Sequence, residues 1–231
     1  MDNKNLKDMI SMFCIKFGIE LYEDYMLKVV ENISEYVKND DEEYYCYRKE
    51  QIDNAFGLFY EDSKGRLLIL VKEQDFVNTI FSLIHEYVHF CDYKKYSTYC
   101  KNTYFRELQE DYVFLFWTEF HATYLSNSFL LDFNLNEIDI KNVTNQIVNK
   151  LRGYYSSSQK LDKKKAVDET IRSYGCYLAL HDRFPDEVKT YPNQYYYNRT
   201  FLEIYDFLNK HKTYDEFIEV YNDFDCLLNA I

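Results

Sequence analysis

The residues of this chain whose types and spacing can do chemistry are His85, Glu86 and His89, in the stretch His85-Glu86-Tyr87-Val88-His89. They lie in the segment Phe76 to Cys91, where Phe76, Ile80, Ile84, Tyr87 and Cys91 recur with a helical period, so the spacing predicts one helix. Histidines four apart on a helix share a face one turn apart, and both imidazoles can reach a single metal ion. Glu86 projects to one side of that pair, where its carboxylate meets a water instead of competing as a ligand. Two imidazoles hold zinc, the glutamate takes a proton from the water, and a nucleophile results near neutral pH. With five histidines in 231 residues, chance gives this spacing in about one such chain in two hundred. The expected chemistry is zinc-dependent hydrolysis of a peptide bond, with Glu86 as general base.

A catalytic zinc takes a third protein ligand and keeps a fourth position for solvent. The extended form of the motif would place glycine three and histidine six residues after His89. Asp92 and Lys95 stand there, which excludes that class. The next helical segment, Phe105 to Leu131, carries Glu119 on a face shared with Leu108, Tyr112, Leu115, Phe116, Thr123 and Leu130. A lone carboxylate on such a face is costly to bury unless neutralised or paired, and a zinc ion is an adequate partner. Ala122, one turn along, permits close helix approach. His121 is the rival ligand. It sits about 200° round the helix from Glu119, so both cannot reach one ion, and its aromatic face suits a core histidine. Glu119 is favoured on this face argument. Asp92 and Asp111 are weaker candidates, and Asp92 could instead orient a ligand histidine through its second ring nitrogen.

His85-Glu86-x-x-His89 followed by Glu119-x-x-Ala122-x-x-Leu125-Ser126 resembles the gluzincin pattern of HExxH and a later helical glutamate. More narrowly, it is similar to the ImmA/IrrE-like metallopeptidases of phages and mobile elements, in which a glutamate and an alanine three residues on recur after the motif. The resemblance covers roughly Ala55 to Leu131. It implies a zincin-like core, His85, His89 and Glu119 as ligands of one zinc ion, Glu86 as general base, and a protein or peptide substrate. Two departures stand out. Thr123 occupies the place where larger gluzincins have an acidic residue four positions after the ligand glutamate, and the asparagine usual after the alanine is absent.

These residues need a frame to position them. Ala55 to Tyr60 and Arg66 to Lys72 read as strands of a hairpin, with Gly65 at a positive-φ turn position. A hairpin directly before a metal-binding helix offers a sheet edge that can take an extended peptide as an added strand. Leu6 to Phe17 and Ile19 to Val37 read as helices broken at Gly18. After a loop at Asp132 to Asn136, Glu137 to Tyr155, Leu161 to Phe184, Thr200 to Lys210 and Tyr214 to Leu228 read as helices, with a further loop over Pro185 to Asn198. The expected fold is α+β and mainly helical, with a small antiparallel sheet. A zincin-like core spans residues 1–131, and a helical extension, 132–231, packs on it.

The formal net charge of −12 argues against nucleic acid as principal partner, because phosphate binding needs a positive surface. The local exception, Lys160 to Arg172 with Lys163-Lys164-Lys165, reads as a solvated helix face. The abundant tyrosines, 25 of them, read as composition bias and not as a base-stacking platform. Six cysteines show no CxxC spacing, so no structural zinc site is expected and free thiols are. No apolar run is long enough to span a bilayer, no secretion signal is visible, and a cytoplasmic protein is expected. Tyr154, Tyr155, Tyr174, Tyr177, His181 and Tyr195 to Tyr197 are all candidate oxyanion donors, and the sequence selects none of them. The competing expectation is a zincin-like regulatory or binding protein with weak or no catalysis, acting on one protein partner.

Overall fold

The hairpin ahead of the motif forms as its residues predict. Strands β2 (Gly57–Glu61) and β3 (Leu67–Lys72) pair antiparallel, and Gly65 takes a φ of +74° in the turn. Its N–H donates to the Asp62 carbonyl at 3.0 Å, and the Arg66 Nε–H holds the Asp62 carboxylate at 2.7 Å. The computed structural model describes residues 3–100, 105–133, 139–157, 163–188 and 199–230, except for the side chains of 153–157 and 163. Within that range the fold is α+β and mainly helical. The chain divides into two units, Met1–Leu108 and Gln109–Ile231.

In the first unit, α1 (Asn3–Phe17) is followed by β1 (Met26–Val30), α2 (Ile33–Asp40), α3 (Glu42–Tyr47) and α4 (Lys49–Asp53). After the hairpin come α5 (Phe76–Tyr99) and α6 (Phe105–Leu108). One sequence expectation fails here: Ile19 to Val37 is not a helix. It holds a strand and the start of a separate helix. The β-branched Val29-Val30 ends a five-residue run whose backbone pairs in parallel with β3. A short apolar run has no period that separates strand from helix, and the tertiary pairing decides. Asn32 then caps α2 by accepting the Glu35 N–H at 3.2 Å. The sheet order is therefore β1-β3-β2, mixed in place of purely antiparallel. Leu68 to Val71 of the central strand are fully buried, as a strand covered on both faces must be.

Helix α5 packs on β2, β3 and α1. Tyr87 anchors it. Its ring is fully buried, and its hydroxyl takes the Tyr22 N–H at 3.0 Å and the Cys14 thiol at 3.6 Å.

The second unit runs α7 (Tyr112–Leu130), α8 (Ile140–Ser157), α9 (Lys163–Arg183), α10 (Arg199–Lys210), α11 (Tyr214–Glu219) and α12 (Tyr221–Asn229). The single helices expected over Phe105 to Leu131 and Tyr214 to Leu228 are each split. Asp111 interrupts the first: its carboxylate accepts the Phe114 N–H at 3.0 Å and starts α7 afresh. Val220 divides the second. Residues 134–138 and 189–198, within or beside the two expected loops, lie outside the described residues. Trp117, fully buried, stacks on Phe217 with ring centroids 4.4 Å apart and donates its indole N–H to the His211 carbonyl at 3.1 Å. All six cysteines are free, and no helix among the described residues is long and apolar enough to cross a membrane.

Helices α7 and α9 pack together in this unit, and Gly175 allows their close approach. A Cβ at that position would lie 2.9 Å from the Phe120 carbonyl oxygen and 3.0 Å from the Tyr124 nitrogen, both backbone atoms that cannot rotate away. Gly175→Ala is therefore expected to lower stability by about 1–3 kcal/mol despite alanine's better helix propensity. Urea unfolding of the variant measures this, and a midpoint at or above the parent's would refute the close approach.

Candidate metal centre

Helix α5 carries the motif, and its faces divide the work. Asp75 caps the helix ahead of the motif by accepting the Asn78 N–H at 3.1 Å. One face presents Phe81, His85 and His89 at four-residue spacing. The Phe81 ring stacks against His85 with centroids 5.7 Å apart, and the two imidazoles meet edge-on at 4.7 Å. Their Nε2 atoms are 3.1 Å apart. Two nitrogens each about 2.0–2.1 Å from one tetrahedral zinc would be separated by roughly 3.3 Å. The pair thus has the donor atoms and the spacing that one such ion requires.

The neighbouring face of α5, with Glu86, Phe90 and Tyr93, lies on strand β2. Phe59 packs its ring against Phe90 and Tyr93, each at 5.6 Å between centroids. The Lys72 N–H bonds to the Phe56 carbonyl and the Asp62 N–H to the Arg66 carbonyl. Between these two rungs the alternation of an antiparallel ladder turns the backbone groups of Gly57, Phe59 and Glu61 away from β3. Phe59 spends its outward N–H on Glu86, donating to Oε2 at 2.8 Å. Gly57 makes this possible. A Cβ there would lie 2.7 Å from Glu86 Cγ and 2.9 Å from Oε1.

In the second unit Glu119 stands on α7 with its side chain 20% exposed. The Arg172 Nη2–H donates to Glu119 Oε1 at 2.8 Å, and the Arg172 Nε–H to Asp168 Oδ2 at 3.0 Å. Burial, and next the Glu119 charge, push the Asp168 carboxyl up to about 6 against the opposing pull of Arg172. Among the described residues, His85, His89 and Glu119 make up a group whose side chains could hold a metal ion. Imidazole and carboxylate are the donor types of an open zinc site.

The remaining sequence candidates are placed as follows. His121 is buried and stacks on Trp117 at 4.7 Å. Asp92 is buried one turn beyond His89. Asp111 caps α7, and both of its carboxylate oxygens accept from the Tyr221 hydroxyl, at 2.7 and 2.8 Å. His181 lies in the last turn of α9, its Nδ1 3.5 Å from an Asp182 oxygen. Tyr174 gives its hydroxyl proton to the Phe201 carbonyl at 3.1 Å, which commits it to the core. Tyr177 is buried against Tyr205. The side chains of Tyr154, Tyr155 and Tyr195 to Tyr197 lie outside the described residues. Sequence reasoning missed Gly57, Phe59, Asp168 and Arg172. A signal existed for the last two: they stand four apart on a predicted helix, the spacing of an ion pair.

Gly57→Ala is expected to drive Glu86 off the Phe59 amide while leaving α5 in place. Hydrogen exchange followed by NMR should show the Phe59 amide exchanging at least about tenfold faster, with the amides of α5 unchanged. An unaltered Phe59 rate would mean that strand and glutamate are not held together as described.

No family model, no curated protein and no solved structure matches this chain.

Proposed function

We propose that the protein is a zinc-dependent metallopeptidase that holds its ion with His85, His89 and Glu119 and uses Glu86 as general base. The observation that carries the reading is on one helix: paired imidazole nitrogens 3.1 Å apart, with a carboxylate beside them anchored to a strand edge. The grouping of Glu119 with the two histidines supplies the third donor. Zinc, when held by these residues, supplies a Lewis acid that lowers the pKa of water and polarises a carbonyl.

Glu86 does the proton work. One oxygen is held by the Phe59 N–H at 2.8 Å, which fixes the side chain beside the histidine pair. The carboxylate accepts a proton from the attacking water and returns it to the leaving amine. Strand β2, at the sheet edge, favours a peptide over a small molecule. Its outward backbone groups at Gly57 and Glu61 flank the Glu86 anchor, and an extended chain added along this edge would run past the base. The resemblance to gluzincins and to ImmA/IrrE-like metallopeptidases agrees with the same reading.

Three variants test it. Glu86→Gln should keep one zinc per chain by metal analysis yet lose hydrolysis of a peptide library by about a hundredfold or more. His85→Ala and Glu119→Ala should each lose tightly bound zinc, while His121→Ala keeps it. Hydrolysis retained in Glu86→Gln would remove the base assignment. Zinc retained in Glu119→Ala but lost in His121→Ala would transfer the third ligand to the rival helix face. A Glu86→Gln protein without hydrolysis that still exerts its full biological effect would favour a binding protein on the same scaffold.

A further inference from the structure

Arg172 lies in the basic stretch that the sequence presents as a solvated helix face, and its geometry is different. We infer that Arg172 is a positioning residue for the metal centre, presenting the Glu119 carboxylate to the ion, with Asp168 as the counter-charge that makes this arrangement compatible with a cation. The inference rests on Glu119 being a ligand, as proposed above.

Arg172 forks between two carboxylates. Nη2 holds Glu119 Oε1 at 2.8 Å, and Nε holds Asp168 Oδ2 at 3.0 Å. A guanidinium is planar and rigid, so a bond at each of two of its nitrogens fixes where the two bonded oxygens lie relative to one another. With Oε1 engaged, Oε2 is the oxygen that Glu119 offers to a metal. The fork spans two helices, Glu119 on α7 and the other two residues on α9, and Gly175, one turn along from Arg172, brings these helices together. Holding a ligand by its second atom is what outer contacts of a metal site do, and losing one typically costs tenfold to a hundredfold in affinity.

A lone arginine beside a ligand would repel a divalent cation. Here the three charged groups sum to one negative charge, the same as a single free carboxylate. Asp168 therefore removes the electrostatic penalty and leaves the geometric benefit. A purely structural ion pair joining α7 to α9 needs only Glu119 and Arg172. The i,i+4 pair of Asp168 with Arg172 also supports α9, so zinc affinity and unfolding measured together separate the two roles.

The test is zinc affinity, measured by competition with a chromophoric chelator on the full chain, beside urea unfolding of the zinc-free protein. Arg172→Met should bind zinc about ten to a hundred times more weakly than the parent, and Arg172→Lys should fall between the two because an ammonium keeps the charge without the rigid planar donor geometry. Asp168→Asn should also bind more weakly, by a factor that shrinks when salt is raised. If Arg172→Met and Asp168→Asn unfold earlier but hold zinc as tightly as the parent, while His89→Ala loses it, Arg172 only joins helices and the inference falls alone. A parent that takes up no zinc, or a His89→Ala protein that keeps it, overturns the metal site itself and this inference with it. Should Arg172→Met fail to fold, the Lys and Asn variants decide by the same measurement.

Discussion

Helix α5 and strand β2 meet where neither can move without the other. Glu86 reaches across the strand face to the Phe59 N–H, and it can do so because position 57 has no side chain. Phe59 locks the same register from its other side by packing on Phe90 and Tyr93, one and two turns further along α5. Helix rotation, strand register and carboxylate position are thus set by a single junction. The histidines inherit their direction from it. Glu86, Phe90 and Tyr93 face the sheet and Tyr87 is sunk into the core, while His85 and His89 share a separate face of α5 with Phe81. The motif therefore works as an assembly of three faces of one helix, two of them structural.

This explains which parts of the molecule are legible in its residues. The HExxH helix, the hairpin before it and most of the later helices follow from period, turn glycine and capping chemistry, all local signals. Residues 19–37 mislead because the decision between strand and helix there lies in a partner, β3, about forty residues away. Gly57 and Phe59 are invisible as site residues for a different reason. Their roles belong to a backbone N–H and to a missing Cβ, and neither leaves a mark in the side-chain alphabet. Asp111 looks like a spare carboxylate near a metal-binding region and is in fact a helix cap. An acid placed just before an apolar run is the sign that the longer helix divides at that point.

The second unit handles charge differently from the first. The Glu119 side chain is only 20% exposed, and an isolated carboxylate so placed would be costly. Arg172 offsets that cost by donating to one of its oxygens. Asp168, crowded by the same charge and partly buried, absorbs the strain as a raised pKa. The raised carboxyl of Asp168 thus shares one guanidinium with Glu119.

The first turn of α7 adds an order of events to this picture. Asp111 begins the helix that bears Glu119, and both of its oxygens are clasped by Tyr221, 110 positions later. A ribosome delivers these two residues at well-separated times, and a nascent chain folds its earlier parts first. Until Tyr221 has emerged, the cap on α7 lacks its clasp. The clasp therefore closes only after most of the second unit has been made.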